Sequence, residues 1–180
     1  SSGTVNFDGT GQCITGDVDT TFAGLVKTTT VPDTFTFSTS SAQTITGTLR
    51  LRGSAGNILS LVSDTAGVQA FIGLQPGGIQ DLEYLNVRDN NATTGAGLLL
   101  VPRNSSEPFG NNTNWAFGGA TFTWEGDVDN DWDNPANWDL GLVPGASDTA
   151  VIPMVATNYP TLMSDFSITA LTIGSGGVTV

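Results

Sequence analysis

Residues 34–61 read TFTFSTSSAQTITGTLRLRGSAGNILSL, and this stretch decides the fold. Three of its segments, at 34–37, 48–52 and 58–61, alternate apolar with polar residues. Successive side chains of a β-strand point to opposite faces, so this alternation predicts strands with one buried face. The sequence GSAGN at 53–57 separates the last two segments and is rich in turn-forming residues.

The same pattern continues on both sides of this stretch. Residues 82–87 and 121–124 also alternate, and turn signals lie at 64–67, 76–78 and 89–91. Short strands at a spacing of roughly ten residues are typical of β-sandwiches, barrels and solenoids. Helical periodicity is interrupted everywhere by Gly, Pro or β-branched residues. The sequence therefore predicts an all-β fold.

Two features favour a right-handed parallel β-helix, or β-solenoid, within that class. Two-residue hairpin turns are scarce, and Asp8-Gly9 is one candidate. Residues 168–173, ITALTI, are followed by GSGG and then VTV, which is the order of a strand, a tight corner and a next strand. A β-sandwich stays open as an alternative, either for the whole chain or for a small part that carries the tryptophans.

The composition changes near Gly118 and Gly119. Thr, Ser and Leu dominate before this point, whereas three of the four tryptophans and a dense acidic run follow it. We predict β-helix coils over residues 1–118 and a tryptophan-containing β region over 119–180 that continues into further rungs. Because both ends stop in mid-alternation, we also expect one period of a longer tandem chain or one subunit of a head-to-tail fibre.

Composition and charge exclude several classes of function. The 17 acidic residues outnumber the 5 basic ones and give a net charge of −12, which repels phosphate backbones and argues against nucleic acid. The chain has no His, so most hydrolase triads and zinc sites are excluded. Cys13 is the only cysteine, so no internal disulfide forms. The apolar run at 98–101 is too short to cross a bilayer, and we expect no membrane insertion.

A tryptophan motif lies between residues 124 and 144, with the pattern W-x-G, D-W, N-W, G-x-x-P. It resembles a motif of large secreted bacterial surface proteins with right-handed parallel β-helix repeats. Asp148, the strand at 151–153, Tyr159-Pro160 and the strand at 171–173 extend the resemblance in order. The resemblance implies a cell-surface, adhesin-like or fibrous role and carries no catalytic residues. The motif residues are Trp124, Gly126, Trp132, Asn137, Trp138, Gly141 and Pro144.

The acidic run inside this motif predicts a calcium site. Asp127, Asp129, Asp131 and Asp133 stand at alternate positions, the spacing with which short loops place oxygen ligands around calcium. An EF-hand is excluded, because Trp132 takes the place of its sixth-position glycine. The site would therefore be a looser one, and a solvated acidic loop is the alternative. The fold requires no cofactor, and Ca²⁺ is the one candidate.

Two further clusters have a functional and a structural interpretation. The three motif tryptophans form either an aromatic platform for sugars or a packed structural cap. Asp81 and Glu83, near Arg88, are either the acids of a polysaccharide-acting enzyme or a solvated strand face.

The function that we expect is a structural repeat or subunit of an extracellular bacterial surface fibre or adhesin, and not an enzyme. Its partners would be further copies of itself, stacked head to tail or in tandem, and glycans. A carbohydrate-binding adhesin module is one alternative. A polysaccharide lyase or hydrolase on a β-helix scaffold is the other.

Overall fold

The computed structural model describes residues 3–174, and strands dominate this range. A single-turn 3-10 helix at Pro135–Asn137 is the only helical element among them. The all-β prediction is confirmed. The strands are β1 Thr4–Phe7, β2 Cys13–Ile14, β3 Thr20–Thr28, β4 Asp33–Phe37, β5 Ala42–Arg52, β6 Leu59–Ser63, β7 Ala70–Leu74, β8 Ile79–Glu83, β9 Leu85–Arg88, β10 Asn90–Asn91, β11 Asn112–Thr113, β12 Thr121–Thr123, β13 Thr149–Ile152 and β14 Ala170–Ile173.

The strands stack in parallel as a β-solenoid of about seven turns. A first sheet has the order β1-β3-β5-β7-β10-β11, with β8 also paired to β5, and a second has the order β2-β4-β6-β9. A third sheet, β12-β13-β14, carries the tryptophan motif and is parallel as well. The solenoid prediction is therefore confirmed. The sandwich alternative is wrong for the described range, because a sandwich needs antiparallel sheets.

The chain divides into two compact units, Ser1–Phe117 and Gly118–Val180. The first two sheets belong to the first unit and the third sheet belongs to the second. Of the strand that the sequence predicts at 168–173, residues Ala170–Ile173 form β14. The predicted strand at 178–180 and the join from tail to head lie outside the described residues.

The register between paired strands aligns the buried residues of successive rungs and so forms the core. Phe35 of β4 stands opposite Leu61 of β6, and both side chains are fully buried. Thr34 and Ser60, one position earlier, face outward. Each rung therefore rests its inward residues on those of the next rung, which is how a solenoid buries what one coil cannot. The buried cluster of the first unit consists of Leu25, Phe35, Phe37, Ile45, Leu49, Leu51, Leu59, Leu61, Ala70, Ile72, Leu74, Leu82, Leu85, Val87, Ala92 and Leu100.

Two local predictions are corrected. The segment at 82–87 is not one strand, because Tyr84 adopts a φ of 52° and makes a corner between β8 and β9. The backbone N–H of Tyr84 donates to the Arg103 carbonyl, and its own carbonyl accepts from the Leu59 N–H. Both neighbouring rungs thus fix the corner. The turn predicted at 89–91 is instead a corner at Asp89, with a φ of 55°, followed by β10.

Within residues 3–174, no helix has the length and apolar character that a bilayer span requires.

Candidate functional site

The motif tryptophans pack edge to face in the second unit. The Trp138 ring is centred 5.1 Å from that of Trp124 and 4.7 Å from that of Trp132, at interplanar angles of 84° and 80°. Phe122 of β12 adds a further edge contact to Trp138. The indole N–H of Trp124 donates to the Asn158 carbonyl, and that of Trp138 donates to the Trp132 carbonyl. Such T-shaped pairs combine apolar burial with favourable ring electrostatics.

This packing overturns the sugar platform. Trp124, Trp132 and Trp138 are only 0%, 3% and 2% exposed, so none of them offers a flat face to a ligand. The remaining motif residues, Gly126, Asn137, Gly141 and Pro144, are buried too.

Gly126 shows why the motif requires glycine. Its φ is 64°, in the left-handed region that favours glycine. A Cβ at this position would lie 2.6 Å from Trp124 Nε1 and 2.3 Å from the Asn158 carbonyl oxygen, the two atoms of one hydrogen bond. The glycine therefore makes room for the bond that holds the Trp124 ring.

Asn137 organises the acidic loop from inside. Its Oδ1 accepts from the backbone N–H groups of Val128 and Asp129, at 3.1 and 3.2 Å. Its Nδ2 donates to Asp129 Oδ1 at 2.6 Å and to the Asp131 carbonyl at 3.0 Å. One fully buried amide thus makes four hydrogen bonds, which is its full capacity in this loop.

The predicted calcium ligands cap the loop's own backbone. Asp129 Oδ1 accepts from the Asp131 N–H, and Asp131 Oδ1 accepts from the Asp133 N–H, each two residues on. These are Asx turns, which explain the alternate spacing without a cation. Asp133 Oδ2 accepts from the Ser164 hydroxyl, and Asp127 is exposed. Over residues 3–174, no group of three or more His, Cys, Asp or Glu side chains is placed to hold a metal ion.

The electrostatics of the loop follow from these bonds. The hydrogen bond from the Asp131 N–H, followed by those from Asn137 and Asn134, lowers the pKa of Asp129 below its ordinary value. Burial, followed by the charges of Asp127 and Asp139, raises the pKa of Glu125. The lowered pKa favours the charged form of Asp129, which holds the loop. The raised pKa disfavours the charged form of Glu125.

The predicted catalytic acids lie in an ion-pair ladder on the first sheet. Asp81 and Glu83 of β8 stand directly opposite Arg50 and Arg52 of β5. Arg50 Nε is 2.7 Å from Asp81 Oδ2, and Arg52 pairs with both acids. The expected proximity to Arg88 is wrong, because Arg88 pairs with Asp89 instead. Cross-rung pairing of this kind stabilises a sheet and accounts for both acids.

A buried ion pair lies inside the first unit. The side chains of Lys27 and Asp33 are 1% and 3% exposed, and Lys27 Nζ is 2.7 Å from Asp33 Oδ2. The loop that follows β1 covers the pair: Gly9 O and Gln12 Oε1 accept from Lys27 Nζ, and the Gly11 N–H donates to Asp33 Oδ1. Burial alone would raise the pKa of Asp33, but the Gly11 bond and then Lys27 outweigh it and lower the pKa.

Sequence reasoning missed this pair, although a signal was present. Lys27 is two residues after the buried Leu25, and Asp33 is two residues before the buried Phe35. Because side chains alternate between the two faces of a strand, Lys27 points inward like Leu25, and Asp33 points inward like Phe35.

An outer groove follows the second sheet, and we define it by seven residues. Its floor is a row of side chains in register across four rungs, in which Thr34 stands opposite Ser60, Ser60 opposite Asn86 and Asn86 opposite Ser106. The concavity is about 450 Å³ along this row and continues past Val62 to Arg88 and Phe109, where it is about 310 Å³. The outer groove comprises Thr34, Ser60, Val62, Asn86, Arg88, Ser106 and Phe109.

Comparison of the chain with models of protein families, with curated proteins and with solved structures finds no match.

Proposed function

We propose that this chain is a structural segment of an extracellular bacterial surface fibre or adhesin, in which stacked rungs supply length and stiffness. The observation that carries the proposal is the parallel stacking of rungs, with inward side chains such as Phe35 and Leu61 aligned from one rung to the next. In such an array each rung contacts only its neighbours, so stability and length grow with the number of rungs.

The outermost strands support continuation of the stack. Within the described range, β1 pairs with β3 and with no other strand, and β14 pairs only with β13. Among residues 3–174, each therefore keeps one edge whose backbone N–H and C=O groups pair with no other strand, which is a template for another strand. Leu171 and Ile173 of β14 are 43% and 45% exposed and would be covered by a next rung. The proposal thus includes tandem continuation or head-to-tail self-association.

The side chains of the first unit favour a mechanical role over a chemical one. Several of its acids bond between rungs: Asp81 and Glu83 pair with arginines of the neighbouring rung, and Asp33 Oδ1 accepts from the Gly11 N–H. Asp89 Oδ2 accepts from the Gly67 N–H of the neighbouring rung, and its Oδ1 accepts from Asn111 Nδ2. These interactions join successive coils and would resist their separation.

The test compares chains of one, two and three copies of this sequence joined end to end. Continuous stacking predicts that the melting temperature rises with copy number and that electron microscopy shows rods of proportionate length. Leu171→Glu with Ile173→Glu should abolish the rise by placing charges at the stacking edge. Val155→Glu with Met163→Glu is the control, because these residues are 78% and 81% exposed and lie outside the strands. Equal melting temperatures for one and three copies would overturn the proposal.

A further inference from the structure

The outer groove carries hydroxyl and amide side chains in register from rung to rung. Thr34 is exposed, Ser60 and Asn86 are half-buried and line the groove, and the Ser106 hydroxyl donates to Asn86 Oδ1 at 3.3 Å. Hydroxyls and amides both donate and accept hydrogen bonds. Four such groups in register, one per rung at a spacing of about 4.8 Å, form a regular polar row roughly 14 Å long.

An exposed aromatic ring stands beside this row. Phe109 is 72% exposed, more than any other aromatic residue among the exposed large hydrophobics of the described chain. Arg88 lies over one side of the ring, with its guanidinium carbon 5.6 Å from the ring centroid. An aromatic face beside hydroxyl and amide groups is the arrangement in which a sugar ring stacks while its hydroxyls form hydrogen bonds. A ring held by one cation presents its remaining surface to a ligand.

The charges of the groove are already neutralised. Arg88 Nε is 3.4 Å from Asp89 Oδ2, and Asp33, at the other end, pairs with Lys27. The groove is therefore close to neutral in a chain of net charge −12, which would repel an anionic polymer. An extended peptide would need a free strand edge, yet β6 in the groove floor is paired on both sides, with β4 and β9.

We infer that the outer groove binds a neutral polysaccharide, laid along the solenoid axis with its hydroxyls on the polar row and an apolar sugar face against Phe109. Sugar hydroxyls match the row because they also donate and accept. This site is separate from the buried tryptophans, and the inference does not depend on the proposed mechanical function.

The experiment is affinity electrophoresis of the full chain in gels that contain a soluble neutral glycan: mixed-linkage β-glucan, galactomannan, xyloglucan or dextran. Polygalacturonate is the anionic comparison. The wild-type chain should be retarded by at least one neutral glycan and not by polygalacturonate. Phe109→Ala and Asn86→Ala should each weaken this retardation by about fivefold or more, because each removes one contact of about 1 kcal/mol.

The control is Phe71→Ala, which removes a 38% exposed aromatic ring from the first sheet. It should leave the retardation unchanged, and circular dichroism melts should show that all three variants are folded. Three outcomes would overturn the inference: no retardation by any of the four neutral glycans, equal loss in the Phe71 and Phe109 variants, or retardation by polygalacturonate alone. If Phe109→Ala does not fold, Asn86→Ala carries the test with the same expected loss.

Discussion

Lys27 and Asp33 occupy columns of side chains that are otherwise apolar, and Phe7 of β1 precedes Lys27 in its column. In the next two rungs Lys27 is followed by Leu51 and Leu82, and Asp33 is followed by Leu59. The polar pair thus replaces two leucines near the β1 end of the core, where the loop after β1 supplies its remaining hydrogen bonds.

This arrangement predicts a strong coupling between the two residues. Lys27→Met or Asp33→Leu alone should lower the free energy of unfolding by about 3–5 kcal/mol, because each leaves an unpaired buried charge. The double variant continues the apolar columns and should be within about 1–2 kcal/mol of the wild type. Urea unfolding of all four proteins gives the coupling energy. Additive effects would contradict a buried pair.

The lowered pKa of Asp33 predicts acid sensitivity. Its ordinary value is 3.8, and the folded-state pKa lies below this. The stabilisation is therefore present above about pH 4 and is lost as the pH falls through the folded-state pKa. Asp89 and Asp129, whose pKa values are also lowered, add to this loss. Melting temperatures between pH 2 and 6 should fall toward acid, and less steeply in the double variant, where Asp33 does not titrate.

Among the elements, the loop between β12 and the 3-10 helix depends on two residues. Gly126 gives access to a left-handed backbone, and Asn137 fills the loop with its amide.

Gly126→Ala should lower the free energy of unfolding of the second unit by more than about 2 kcal/mol. The new Cβ would meet the Trp124–Asn158 hydrogen bond, and alanine is unfavourable at this φ. Tryptophan fluorescence during urea unfolding measures the effect. Gly118→Ala is the matched control in the same unit, because its Cβ would contact nothing within 4 Å. Equal stability of the two variants would show that the close approach is unimportant.

Asn137→Ala should cost about 2–4 kcal/mol, since the amide's four hydrogen bonds are lost from a buried position. Calcium at millimolar concentration should leave the melting temperature of the wild type unchanged, because Asp129 Oδ1 already accepts from Asn137 Nδ2 and the Asp131 N–H, and Asp131 Oδ1 accepts from the Asp133 N–H. Differential scanning calorimetry with calcium or chelator checks this. A calcium-dependent rise in the wild type would contradict this expectation and support the predicted calcium site.

The same elements show what the sequence could and could not predict. The segments at 34–37, 48–52 and 58–61 were found because burial of one face imposes strict alternation. The corner at Tyr84 was not predicted, because a positive φ is uncommon for tyrosine. It is fixed here by backbone hydrogen bonds to two other rungs. The spacing of Asp129 and Asp131 did not distinguish a calcium site from a pair of Asx turns. A bound cation and a backbone N–H two residues on both favour a carboxylate at alternate positions.

At the scale of the whole chain, unequal coils hide the repeat. Hydrogen bonds between neighbouring rungs join residues 22 apart at Gly11 and Asp33 but 31 apart at Arg50 and Asp81. Stacking requires that the inward-facing side chains of successive rungs align, but it tolerates corners of different length. Alternation therefore predicted the all-β class although the coils differ in length, and the scarcity of two-residue hairpin turns favoured the solenoid within that class.

The net charge of −12 acts on the chain as a whole. Seventeen acids and five bases leave more repulsive than attractive pairs, even after the ladder of Arg50, Arg52, Asp81 and Glu83 is counted. Screening should weaken the repulsion more than the short ion pairs, some of which are buried. Raising NaCl from about 10 to 150 mM should thus increase stability by about 1 kcal/mol, or about 2–4 °C in melting temperature. Scanning calorimetry at both salt concentrations measures this. A fall would mean that the ladder outweighs the net charge, and Arg52→Gln should then abolish that fall.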